Sequence, residues 1–151
     1  MAAMQSNIYQ RCRQRLGLSQ EVWAERLDIS VDSVRHYEMG DRIPSNAMVL
    51  RMINESGYEA LAMQHLYETS HALDVLPNVE PDTPLPQAAI RLINRVLSFA
   101  DKHRDRQLLT IAEDGVVTDD ERPLYNDILD ELQDIISAAY QVRYADDEGR
   151  V

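Results

Sequence analysis

The stretch LSQEVWAERLDISVDSVRHYEMG, Leu18 to Gly40, decides the fold of this 151-residue chain. It reads as two short helices joined by a three-residue turn. Ser19 and Ser30 stand where a hydroxyl can accept the first free backbone N–H groups of a helix, and Asp28 and Gly40 stand where the chain turns left-handed to end one. Asp in place of Gly at the first of these stops costs a fraction to about 1 kcal/mol. Between the marks, Trp23, Leu27, Val34 and Tyr37 recur at helical spacing and supply a shared core. Ala24 falls where two steeply crossing helices touch, and a larger side chain would hold them apart.

The same punctuation continues outward. Ser6 and Ser45 open helices and Gly17 and Gly57 close them, so four helices of about eight to eleven residues are expected. A fifth, from Tyr58 to Glu68, carries Leu61, Met63, Leu66 and Tyr67. Val and Ile sit in helix-spaced patterns rather than alternating runs, so the expected fold is all-α.

These residues resemble the helix-turn-helix of the phage repressor and Cro family. The resemblance rests on Ser19-Gln20 opening a helix, Ala24 inside it, Leu27 at its end, Ile29-Ser30 in the turn, Val34, then Tyr37-Glu38 and Gly40. It covers roughly residues 6 to 68 and implies a five-helix DNA-binding domain. In such folds the second helix of the motif lies in the major groove. By position, the resemblance assigns base readout to Val31, Asp32, Arg35 and His36, and backbone contacts to Ser19, Gln20, Ser33 and Arg42. Val31 suits a thymine methyl, Asp32 a cytosine amine and Arg35 a guanine edge. The family also pairs a first-helix arginine with the motif's glutamate, here Arg13 and Glu38, a pair read as structural.

Residues 70–86, SHALDVLPNVEPDTPLP, hold four of the six prolines and read as an extended linker. This divides the chain into a DNA-binding domain at 1–69, the Pro-rich linker at 70–86, and a helical hairpin at 87–151 that dimerises. The first helix of the hairpin is expected to run from Pro86 towards Gly115, with Ile90, Ile93, Leu97 and Ala100 as the stripe packed on its neighbour. In the second, Tyr125, Ile128, Leu132, Ile135, Ala139 and Val142 keep a 3-4-3-4-3 spacing beside a further row of Leu129, Ile136 and Tyr140. Two stripes call for two partners. The Tyr125 to Val142 seam is accordingly read as the homodimer interface, in a four-helix arrangement about a twofold axis.

Formal charge is -11, from 15 basic and 26 acidic residues. It is unevenly placed: residues 1–68 carry seven arginines against nine acids, and 69–151 carry eight basic residues against seventeen acids. Strong nonspecific attraction to nucleic acid or to an anionic membrane is disfavoured. Asp32, Glu21 and Asp41 near the expected DNA face repel phosphate, so affinity must come from few contacts and from pairing of two domains. A helix-turn-helix adaptor that binds protein rather than DNA is the alternative. Cys12 is the lone cysteine, the N-terminus lacks the apolar core of a signal peptide, and no apolar run reaches 18 residues. The expectation is therefore a soluble cytoplasmic protein of bacterial or phage type.

No catalytic constellation emerges. The four histidines lack metal spacing, and with five glycines there is no phosphate loop. Asp114 to Glu121 resembles the second half of a calcium loop, but positions one and three would be Thr110 and Ala112. The same letters read as a helix stop at Gly115 and a capping box from Thr118 to Glu121. No cofactor, metal or enzymatic activity is expected.

Overall fold

The computed structural model describes residues 7–80 and 82–145. Among the described residues every regular element is helical, so the fold is all-α. The chain divides into two units, Met1–Leu76 and Pro77–Val151.

The first unit contains α1 (Ile8–Arg15), α2 (Gln20–Leu27), α3 (Val31–Met39), α4 (Asn46–Ser56) and α5 (Ala60–Ser70), followed by a 3-10 turn at His71–Leu73. Its boundaries follow local chemistry. Ser19, Ser30 and Ser45 each accept the N–H three residues ahead, from Val22 at 3.3 Å, Ser33 at 3.1 Å and Met48 at 3.3 Å. For α1 the cap is Asn7, whose Oδ1 accepts from the Gln10 N–H at 2.9 Å; Ser6 lies outside the described residues. The Asn7 amide also donates to the Tyr37 carbonyl and so ties the start of α1 to α3. Asp28 takes the left-handed conformation (φ 53°) at the end of α2, as Gly40 does (φ 80°) at the end of α3. α5 begins two residues later than the Tyr58 start expected. Trp23, Leu27, Met52, Leu61 and Cys12 form the fully buried centre, and Ala24 is buried at the α2–α3 crossing.

His65, on α5, is also buried. Its Nδ1 lies 2.8 Å from the Tyr9 hydroxyl and its Nε2 3.0 Å from Asn46 Oδ1. Oδ1 only accepts, so Nε2 carries the proton and Nδ1 accepts from Tyr9. Burial, with Glu68 adding to it, pushes the Tyr9 pKa up to about 12, while burial pulls the His65 pKa down.

The second unit contains α6 (Leu85–Asp101), α7 (Arg104–Ile111) and α8 (Arg122–Arg143). The single helix expected from Pro86 towards Gly115 is therefore two. His103 adopts a left-handed φ of 55° and its N–H bonds to the Ala100 carbonyl, closing α6 one turn before α7 starts. The expected linker is also not free along its length. Pro77, Val79 and Thr83 are buried within the second unit. The Glu80 N–H donates to Gln141 Oε1 at 2.9 Å, and Gln141 Nε2 donates to the Glu80 carbonyl at 2.6 Å. One buried side-chain amide thus holds the backbone of this strap.

Glu80, just before α6, meets Gln141 near the end of α8, whereas Arg104, just after α6, meets Glu131 in its middle at 2.8 Å. α6 and α8 therefore run antiparallel. Their shared seam is made by Ala88, Leu92 and Phe99 on one side and Ile128, Ile135 and Ala138 on the other. Two expectations are corrected. The Ile90, Ile93, Leu97 and Ala100 stripe faces solvent, because the Ala88–Leu92–Phe99 line, with a small residue at one end, lets the helices approach closely. Ile128 is fully buried inside the unit and has no surface left for a second copy. Of the other seam residues, Tyr125, Leu132, Ile135 and Val142 are half-buried and Ala139 is exposed. Ahead of α8, the Thr118 N–H and hydroxyl both donate to Glu121 Oε2, at 3.0 and 2.7 Å, so that carboxylate is engaged within its own turn.

Candidate nucleic-acid interface

α3 is held by its buried face and offers the rest to solvent. Val34 and Tyr37 are anchored among Trp23, Leu27 and Val49, and this leaves Asp32, Arg35 and His36 outward with side chains 70, 55 and 47% exposed. Val31 differs from the other three expected readers. It packs partly against the core, so only its outer edge is available for a base methyl.

The exposed residues are already paired with one another. Arg35 lies 3.6 Å from Asp32, and His36 reaches Asp32 through Nε2 and Asp41 through Nδ1, both at 3.4 Å. Asp41 comes within reach because the chain doubles back after Gly40, its N–H bonding to the His36 carbonyl at 3.1 Å. Exposed pairs of this kind are worth about 0–1 kcal/mol, so they hold side chains in place yet exchange for other partners at little cost. Of the three carboxylates that oppose phosphate, Asp32 has a cation beside it in Arg35. Glu21 is held below the usual carboxylate range by hydrogen bonds from its own backbone N–H and the Ser19 hydroxyl, with Arg35 nearby adding to this.

Beneath α3 lies a pair more than sequence spacing could specify. Arg13 on α1 donates from Nε to Glu38 Oε1 at 2.6 Å and from the terminal nitrogen to Oε2 at 2.8 Å, a bidentate arrangement with side chains only 11 and 5% exposed. Its remaining nitrogen donates to the Leu18 carbonyl at 2.6 Å. Gln20 Nε2 adds a third bond to Glu38, at 2.9 Å. The three residues lock α1, α2 and α3 into one geometry. Gln20 therefore keeps only its second amide hydrogen for a phosphate. Its sequence position suggested an outward role; the inward bond became visible only once Glu38 was placed beside it.

The remaining expected backbone-contact residues divide. Arg42 is exposed, with its guanidinium 5.7 Å from the Tyr37 ring centroid, and is placed to reach outward. Ser19 accepts from Val22 and donates to Glu21, so its hydroxyl is spent on the cap. Ser33 lies 2.9 Å from the Ser30 hydroxyl within the α3 cap. Asn46, at the start of α4, is tied to His65 as described.

Residues 10–57 match the family model described as a helix-turn-helix domain. This segment contains α2, the turn and α3, and is similar to a helix-turn-helix domain. No curated protein and no solved structure matches the chain. No helix among the described residues is long and apolar enough to cross a membrane.

Proposed function

We propose that the chain is a sequence-specific transcriptional regulator of the phage repressor and Cro type, acting as a repressor. In this reading it binds an inverted-repeat operator as a homodimer joined through the C-terminal unit. The observation that carries the reading is the α2–α3 pair itself. It matches a helix-turn-helix model, and its second helix turns three loosely paired polar side chains to solvent while its other face is locked into the core. Arg35 is long and planar enough to bond bidentately to guanine, Asp32 accepts from a cytosine amine, and Arg42 and the free edge of Gln20 serve phosphates.

A domain with seven arginines against nine acids binds DNA weakly as a single copy. Two copies tethered at half-sites about 34 Å apart answer this, since the second contact becomes intramolecular and can raise affinity by about 10² to 10⁴.

Selection of genomic DNA fragments with the purified protein tests the proposal. Enrichment of an inverted repeat is expected. Recovery of no preferred sequence would refute it. The alternative, a protein-binding adaptor, draws on Glu21, Asp32 and Asp41 lying beside the same face. It predicts no DNA selection and a stable protein partner that protects α3 from hydrogen exchange.

A further inference from the structure

His36 stands on the outward face of α3 with a carboxylate at each end of its ring. Nε2 lies 3.4 Å from Asp32 Oδ2, and Nδ1 lies 3.4 Å from Asp41 Oδ2. The backbone places both carboxylates. Asp32 is four residues back on the same helix, one turn away. Asp41 is carried round after Gly40, where its own N–H and that of Arg42 both bond to the His36 carbonyl, at 3.1 and 3.3 Å.

Ionised carboxylates only accept hydrogen bonds, whereas a neutral imidazole carries one N–H and one bare lone pair. Neutral His36 can therefore serve one of the two aspartates and turns a lone pair towards the other. The imidazolium donates from both nitrogens and serves both. The arrangement fits the cation.

The charge of the whole face turns on that proton. Of the elements packed on α3, α1 supplies Arg13, which is spent on Glu38, and Arg15, which is stacked on Tyr58. From α2 comes Glu21, beside Arg35, while Glu25, Arg26 and Asp28 follow at the far end of that helix, by the turn. α3 itself and the residues after it add Asp32, Arg35, Asp41 and Arg42. Around His36 the outward groups are thus three carboxylates, Glu21, Asp32 and Asp41, against two guanidinium groups, Arg35 and Arg42. With His36 neutral the set opposes a phosphate backbone; with His36 charged the two signs balance. Histidine is the side chain suited to make this change between about pH 5 and 8.

We infer that a DNA duplex binding this face takes up a proton at His36, so that acidification strengthens binding. The inference deepens the DNA-binding reading above, since it adds regulation of the same face, and it rests on that reading. Approaching phosphates favour the imidazolium, and by linkage the imidazolium favours phosphates to the same extent. Affinity is therefore lowest at high pH, where His36 is neutral, and rises as pH falls. A single proton limits the gain to about tenfold per pH unit. His65 acts in the opposite sense. Burial disfavours its charged form, so acid weakens the fold that carries the face, and a tightening of DNA binding cannot come from that residue.

Fluorescence anisotropy of labelled duplexes with the full chain, at fixed ionic strength from about pH 8 to pH 6, reads this linkage. Two probes are used: the inverted repeat enriched by genomic selection, and a duplex of arbitrary sequence at low salt. For the wild-type chain Kd is expected to fall at least about fivefold across the range. His36→Gln should give a flat profile whatever its absolute affinity, and His36→Arg, a permanent cation, should be flat as well. His36 is exposed, so both variants should keep the fold, and circular dichroism at each pH checks this. An operator bound equally at both ends of the range, or a response that persists in His36→Gln, would overturn the inference and leave the proposed function standing. Acid-strengthened binding of the arbitrary duplex that depends on His36, with no repeat enriched, would refute the sequence-specific regulator and leave the proton linkage standing. Binding of neither duplex at either pH would overturn both.

Discussion

Replacing Glu38 by alanine removes three hydrogen bonds at once and leaves the Arg13 guanidinium almost wholly inside the protein with one partner, the Leu18 carbonyl. Breaking a buried pair from one side costs about 3–5 kcal/mol, because the surviving charge is neither solvated nor neutralised. That approaches the whole stability of a small domain, about 5–15 kcal/mol. At roughly 4–8 °C per kcal/mol for a unit of this size, the melting temperature should fall by about 12–40 °C. Replacing both residues, Arg13→Met with Glu38→Leu, removes both charges, and most of the loss should return. Trp23 is the only tryptophan and sits buried in α2, so its fluorescence during urea unfolding reports on the first unit alone. A shift below about 1 kcal/mol for Glu38→Ala, or a double variant no more stable than the single one, would show that the pair is not structural.

Three further perturbations follow from the geometry. Arg35→Ala should cost about 1–3 kcal/mol of operator binding and relax preference at one base pair, whereas Arg42→Ala should weaken all sequences alike; competition binding across a base-substituted operator set separates the two. Gln141→Leu removes both hydrogen bonds to the Glu80 backbone, and should lower the stability of the second unit by about 1–3 kcal/mol, measured by the far-UV melt of the full chain. His65, whose pKa burial lowers beneath the usual 6.5, makes stability fall on acidification: the unfolded chain takes up the proton first, so the contribution is complete above about pH 6.5 and is lost as pH drops towards the folded value. Urea midpoints of the Trp23 transition between pH 7.5 and 5 should show this slope and lose most of it in His65→Gln; an unchanged slope would place the titration elsewhere.

What could be read without coordinates was whatever closes within a few residues. Three serine caps bond to N–H groups three positions ahead, and two left-handed stops need only the local backbone, so the helices of the first unit and the outward set of α3 follow from the letters. Asn7 in place of Ser6 is the kind of error this permits, since adjacent polar residues compete for one cap. The break at His103 left no mark, because a non-glycine residue turns left-handed there in the middle of a continuing apolar pattern. Nor could spacing reveal that Gln141 spends its amide on Glu80, 61 residues away, or that Gln20 points inward to Glu38.

The largest difference concerns the C-terminal helices. Periodicity identifies an apolar row because row membership depends only on the pitch of one helix. It does not say which of two rows faces the neighbour. That depends on the fit between two surfaces: Ala88 on α6 and Ile128 on α8 are fully buried, while the larger Ile90, Ile93 and Leu97 are left outside. Sequence alone determined that α6 and α8 are amphipathic and that apolar surface remained over; only the tertiary packing decided which surface it was.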